Sequence, residues 1–362
     1  MAQKKSFSAR ALFIIGAGCA LLLVTLGASP GVASDDNDAH KGADALVREN
    51  VGRLIEEGRH TFRYDTFGDE AFWGDKLKLH LAIAGAKQGG VGPGVSPATA
   101  LSVGLKVDVN ALPEALRMQI AAGKVDLTDP AVTLALLKLN AVVGVTGIFD
   151  NAGRIASMGI QCALCHSTVD NSFAQGIGRR LDGWANRDLN VGAIVALAPD
   201  LSLPAQLLGV DQSTVRTVLN TWGPGKFDAE LFLDGKPFQP SGRSAAVLIP
   251  PAFGLAGVNL GTWTGFGSTT YWNALVANLE RHGKGTFYDP RLNDPVQYPV
   301  AVKAGSNDVR NDPDLITSKL AALHFYQLAI PAPKPSVDST QNQAAVRGKE
   351  LFAGRAQCVR CH

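Results

Sequence analysis

Two five-residue strings constrain this chain more than anything else in it: CALCH at 162–166 and CVRCH at 358–362. The chain has five cysteines, and four of them (Cys162, Cys165, Cys358, Cys361) fall into these two C-x-x-C-H units. That pattern reads as c-type haem attachment. On a helix, positions i, i+3 and i+4 share one face. Cys162 and Cys165 can then form thioethers to the two haem vinyl groups while His166 reaches the iron, and Cys358, Cys361 and His362 repeat the arrangement.

Three other readings compete. A thioredoxin-like motif needs C-x-x-C beside a βαβ pattern and gives no reason for a histidine after both pairs. A zinc site would join knuckles separated by roughly 190 residues, far beyond ribbon spacing. Disulfides suit an exported chain but do not explain two identical units. The two motifs also share a preceding glutamine, Gln161 and Gln357, and an aromatic stretch upstream, Gly147 to Phe149 and Leu351 to Gly354. A short helix carrying that aromatic residue is expected before each motif.

The N-terminus reads as a secretory signal. Lys4, Lys5 and Arg10 precede an apolar run over residues 11–28, small residues follow at 31–34, and cleavage is expected after Ala33 or Ser34. The formal charge is +2, and without those three positives the remainder carries about −1, so no basic field favours nucleic acid. Cys19 leaves with the signal. The expected location is periplasmic or secreted, with membrane contact only through an uncleaved signal.

The fold class expected is mainly α: a cytochrome c-like helical haem domain, an N-terminal helical extension, and a truncated second cytochrome c domain. The boundaries are a signal peptide at 1–34, the extension at 35–146, the first haem domain at 147–330, a Pro-rich linker at 331–343 and the start of the second domain at 344–362. Val47 to Ile83 is expected to be mostly helical, and Gly89 to Pro97 a loop. Leu127 to Val145 reads as a buried helix, with Asp129 as its N-cap and Pro130 in its first turn. Leu315 to Leu328 is a further helix. The Pro-rich linker cannot hold a helix, and an amphipathic helix starts near Ala344 and runs into the second motif. Because the sequence stops at His362, the second haem domain is expected to be a fragment.

Axial ligation decides between electron transfer and chemistry. The methionines are Met1, Met118 and Met158, so none follows His166. His60, His80, His282 and His324 are the candidate distal histidines, with His40 on a polar tail. An open sixth position would bind peroxide or dioxygen.

Two C-x-x-C-H motifs about 200 residues apart in an exported chain resemble the di-haem cytochrome c peroxidase superfamily. Ile249 to Glu280 resembles the segment those enzymes place between their haems. The closer likeness is to the secreted di-haem rubber oxygenases, in which an aromatic–Trp pair precedes a Phe beside the active haem. Tyr271-Trp272 and Phe287 stand at that spacing, with Tyr271 departing from the usual Phe. The resemblance implies two covalent haem c groups, His166 as proximal ligand of the catalytic haem, Trp272 as an aid to electron passage and Phe287 as a roof over the oxygen site. It also implies a calcium ion between domains, with no ligands assigned. A small redox protein or small-molecule oxidant would be the partner. A peroxidase needs an acid–base group near the iron, for which Glu280 and His282 are candidates. The alternative is a plain electron-transfer cytochrome with two six-coordinate haems and no catalysis.

Overall fold

The computed structural model describes residues 36–239, 242–261, 265–336, 338 and 342–360. The expected signal, Cys361, His362, the side chain of His40 and part of the Pro-rich linker lie outside the described residues. No helix among the described residues is long and apolar enough to cross a membrane. The chain divides into two units, Met1–Arg48 and Glu49–His362. In the first, residues 36–48 belong to helix α1 (Asp36–Tyr64).

The second unit continues from α1 through short helices α2 (Glu70–Trp73), α3 (Leu79–Ala84) and α4 (Pro97–Ser102). Strand β1 (Val107–Asp108), α5 (Glu114–Ala121) and α6 (Pro130–Lys138) come next. The predicted cap of α6 holds: Asp129 Oδ1 accepts from Ala131 N at 2.9 Å and Pro130 opens the first turn. The helix ends well before Val145, because Asn140 takes a left-handed conformation and turns the chain. The expected Gly89 to Pro97 loop is found as far as Ser96, which caps α4 by accepting from Thr99 N, and Pro97 opens that helix.

The expectation of a mainly α, cytochrome c-like helical domain fails. Helix accounts for 46% and strand for 11%, and that strand content forms five two-stranded sheets among the described residues. Gly147 to Phe149, expected as a short helix, lies in β2 (Val145–Phe149), paired antiparallel with β3 (Ile155–Ile160). The cause is local. Asp150 accepts from Ala152 N at 3.0 Å and Arg154 N at 2.9 Å, folding the DNAGR segment into a turn. The apolar residues before and after it then pair as strands, Val145 opposite Ile160.

A single helical turn, α7 (Ala163–His166), is followed by β4 (Ser167–Val169), β5 (Ile177–Gly178) and β6 (Arg180–Asp182). Strand β6 pairs back on β4, and β5 runs parallel to β1. Helices α8 (Val191–Ala196), α9 (Ser202–Leu208) and α10 (Gln212–Asn220) lead to β7 (Lys226–Phe227), α11 (Leu231–Asp234) and β8 (Val247–Leu248). Then come α12 (Thr269–Leu275), β9 (Thr286–Tyr288), α13 (Pro299–Ala304), β10 (Asp308–Arg310) and α14 (Leu320–Ala329). The Leu315 to Leu328 helix therefore starts later than expected, after a 3-10 turn at Thr317–Lys319. The last helix, Gln343–Ala353, begins where the sequence placed it, with Asn342 accepting from Ala344 N.

Three apolar clusters hold the second unit together. The largest gathers Leu77, Leu137, Leu189, Leu201 and Leu231. A second packs Phe62, Phe67, Ile316, Leu323 and Tyr326 around Ala163 and Cys162. The third joins Leu275, Phe287 and Leu292 with Tyr271 and Trp272 at its margin. The first motif lies where the first two meet, since Leu164 and Cys165 belong to the largest and Cys162 to the second.

Candidate functional site

Strand β3 delivers the first motif. Gln161 is buried, its amide donates to Thr146 Oγ1, and its backbone N bonds to the Gly144 carbonyl at 3.0 Å. The chain then closes one helical turn, with His166 N donating to the Cys162 carbonyl at 3.1 Å. Gly144 makes this approach possible: its φ is +82°, and a Cβ there would fall 2.1 Å from Leu164 Cα. No L-residue side chain fits that contact.

His166 is held from the far side. Its backbone carbonyl accepts from Gly183 N at 2.8 Å, and the Gly183 carbonyl accepts from Ala252 N at 2.7 Å. Ile249 N bonds to the Gly225 carbonyl at 2.9 Å. These bonds pin the segment over residues 249–252 and set the Pro250 carbonyl 3.1 Å from His166 Nδ1. A carbonyl can only accept, so Nδ1 carries the proton and Nε2 keeps its lone pair. Burial pushes the imidazole below its ordinary value, against the pull of that carbonyl. Nε2 has no hydrogen-bond partner among the described residues.

Burial also raises both thiols, Cys165 to about 12. Cys162 is raised by burial as well, with Arg281 acting against it. Arg281 Nη1 lies 3.5 Å from Cys162 Sγ. The same guanidinium donates to Asp69 Oδ2 at 2.8 and 3.1 Å, to the Asp65 carbonyl at 2.9 Å and to the Ile160 carbonyl. It lies 4.8 Å over the Phe67 ring. One buried side chain thus ties the end of α1, the end of β3 and the motif together.

Arg281 stands between two of the sequence candidates. Helix α12 runs into a single π-helical turn, Val276–Glu280, a local widening often met at functional positions. Glu280 lines an aromatic cavity of about 30 Å³ with Phe72, Trp73, Trp222 and Phe232, room for one or two waters. Burial pushes its carboxyl well above the ordinary range, and Asp228 and Glu230 add to the shift. His282 stacks on Phe72 with ring centroids 3.6 Å apart, and burial lowers its imidazole to about 4. Its Nε2 is buried without a partner among the described residues, as is Trp222 Nε1. The Arg281 carbonyl accepts from Trp73 Nε1 at 3.0 Å, which fastens this strip to the cavity wall.

Trp272 and Phe287 come together elsewhere, in the third cluster. Ser268 caps α12, and Tyr271 lies 5.7 Å from Trp272 and 5.9 Å from Phe287 between ring centroids. Among the candidate distal histidines, His60 is exposed against Tyr64, and His80 is buried with Nδ1 unpartnered among the described residues. His324 Nδ1 lies 3.1 Å from Thr270 Oγ1.

The second motif has a different setting. No residue of the helix Gln343–Ala353 is buried. Gln357 takes a left-handed φ of +55°, and Cys358 opens a 3-10 turn, half-buried, with Sγ 3.8 Å from the Ala356 carbonyl.

Sequence reasoning missed Arg281, Asp69 and the Pro250 carbonyl. Asp69 and Arg281 are 212 positions apart, and no local pattern connects them. Among the described residues, no three His, Cys, Asp or Glu side chains gather as a metal cage, and no calcium ligands emerge there. No protein-family model, curated protein or solved structure matches this chain.

Proposed function

We propose that this chain is an exported di-haem c-type cytochrome and an oxidoreductase that activates peroxide or dioxygen at its first haem. Cys162 and Cys165 would hold that haem by thioethers, with His166 on its iron. Cys358, Cys361 and His362 would attach a second haem that relays electrons. The observation that carries the reading is the His166 Nδ1 to Pro250 carbonyl contact beside two thiols in one turn. Iron-binding histidines typically donate their other ring N–H to a carbonyl or carboxylate, which fixes tautomer and ring orientation.

The thiols weigh against a dithiol redox role. A reactive C-x-x-C pair needs a depressed thiol, whereas burial in apolar surroundings raises it and makes it inert toward exchange. Both thiols here are raised. When bound, haem iron would supply one-electron chemistry and a place for an oxidant to bind.

The chain's own residues favour peroxide over dioxygen. Burial raises the Glu280 carboxyl in its aromatic surround, the direction a general acid for O–O cleavage requires. Neutral His282 stands two residues away on the same strip. Phe287, the apolar residue suited to a dioxygenase pocket, packs with Tyr271 in the third cluster.

Haem-loaded full chain mixed with peroxide tests the reading. A prompt change in the haem spectrum is expected, slowed by about 10²-fold in Glu280→Gln, the lower range for loss of a general acid. No response to peroxide, together with no oxygen uptake on polyisoprene, would refute the proposed activity.

A further inference from the structure

The Tyr271 hydroxyl donates to Asp289 Oδ2 at 2.6 Å. Asp289 is buried, and Arg291 grips both of its oxygens, with Nε at 3.0 Å from Oδ1 and 3.1 Å from Oδ2, and Nη2 at 2.8 Å from Oδ2. Burial pushes the Asp289 carboxyl up, but the bonds from Arg291 and Tyr271 outweigh it and leave it below the ordinary value. Burial and the bond to Asp289 push the Tyr271 phenol up, so the resting state is phenol beside carboxylate. The Trp272 ring meets Tyr271 edge-on, with centroids 5.7 Å apart. Its indole Nε1 is buried and has no acceptor among the described residues.

These neighbours differ in what happens when an electron is removed. A hole on Trp272 has no proton acceptor among the described residues and remains a charge in a buried site, which is costly. A hole on Tyr271 has a proton acceptor already in hydrogen-bond contact. Oxidised phenols are strong acids, so the O–H bond breaks as the electron leaves.

We propose that Tyr271 is a proton-coupled one-electron relay: it takes the hole from Trp272 and passes its phenolic proton to Asp289 Oδ2. The electron goes through Trp272 to a strong one-electron oxidant, and the products are a neutral phenoxyl radical and a protonated Asp289. Return of one electron from a reductant sends the proton back to the Tyr271 oxygen. In the working protein the oxidising equivalents come from peroxide at the first haem. That part rests on the proposed function; the relay itself does not.

The chain has five tyrosines. Replacing Tyr64, Tyr288, Tyr298 and Tyr326 by Phe leaves Tyr271 alone, including against Tyr326, whose hydroxyl also donates to a carboxylate (Asp182 Oδ2, 2.6 Å). This full-length variant is oxidised by flash-photolysed ruthenium tris(bipyridine) with persulfate, freeze-quenched and read by electron paramagnetic resonance. A neutral tyrosyl signal is expected, replaced by a tryptophan radical when Asp289→Asn is added. A tryptophan signal alone before that change, or a tyrosyl signal unaltered by it, would overturn the relay. If the fourfold variant does not fold, Tyr271→Phe in the otherwise unaltered chain must lose tyrosyl intensity and gain tryptophan radical; an unchanged spectrum refutes the proposal. Peroxide added to haem-loaded protein tests the other premise. A photochemical tyrosyl radical without a peroxide-driven one would uphold the relay and sink the peroxide reading.

Discussion

The two C-x-x-C-H motifs are near copies in sequence and unlike in structure. Gln161 is buried at the end of a strand and leads into a turn packed against two apolar clusters. Gln357 has a left-handed backbone and follows a helix with no buried residue. The first cysteine of one motif touches a buried guanidinium, whereas that of the other lies 3.8 Å from a backbone carbonyl. A motif therefore specifies which atoms a cofactor would bond, while distant residues specify how those atoms are held.

That contrast gives its largest expected effect at the arginines. Replacing Arg281 by Gln strands buried Asp69, and breaking a buried ion pair this way costs about 3–5 kcal/mol. Arg360→Gln, at the exposed second motif, should stay within about 0.5 kcal/mol. Urea unfolding of the two variants checks the difference; equal midpoints would erase the distinction.

Glycine substitutions sharpen the same comparison. At Gly144 an added Cβ meets the Leu164 backbone and φ is positive, so Gly144→Ala should cost about 1–3 kcal/mol or more. At Gly348, inside the last helix, nothing lies within 4 Å of an added Cβ. Gly348→Ala should therefore gain about 0.5–1 kcal/mol from helix propensity. Thermal unfolding reads both signs.

A further expected effect is a pH dependence belonging to the first motif's surroundings. His282 has a folded value of about 4, below its unfolded value of about 6.5. The unfolded chain binds more protons between these values, so this contribution is complete above pH about 6.5 and is lost as pH falls toward 4. Glu280, raised by burial, acts in the opposite sense. The measurement is therefore a difference: wild type should lose stability relative to His282→Phe on acidification through that window. A pH-independent difference would place His282 in solvent.

Local chemistry was legible in the sequence. Asp129 and Pro130 mark the start of α6, and the Asn342 cap opens the last helix close to the expected Ala344. The β2–β3 hairpin was not, because a short apolar run such as Val145 to Phe149 has no period that separates strand from buried helix. Its deciding contacts are the Asp150 turn and the pairing across it. Glu280 and His282 were visible as candidate acid–base groups, but Arg281 between them was not. Its partners are Asp65 just past α1, Ile160 at the end of β3, and Asp69, and only the folded chain brings them together. The Pro250 carbonyl is beyond sequence reading for the same reason: backbone bonds to Gly225 and Gly183 put it against His166.

The central claim is that the turn at Cys162–His166 carries covalent haem. Its most direct test is a pyridine haemochrome spectrum of the full chain, exported from a host with haem-attachment machinery, followed by mass spectrometry of the peptide containing Cys162 and Cys165. A c-type spectrum with haem mass on that peptide, lost in Cys162→Ala/Cys165→Ala, is the predicted result. A peptide with free or disulfide-bonded thiols and no haem, from a host that loads a control cytochrome, would contradict it.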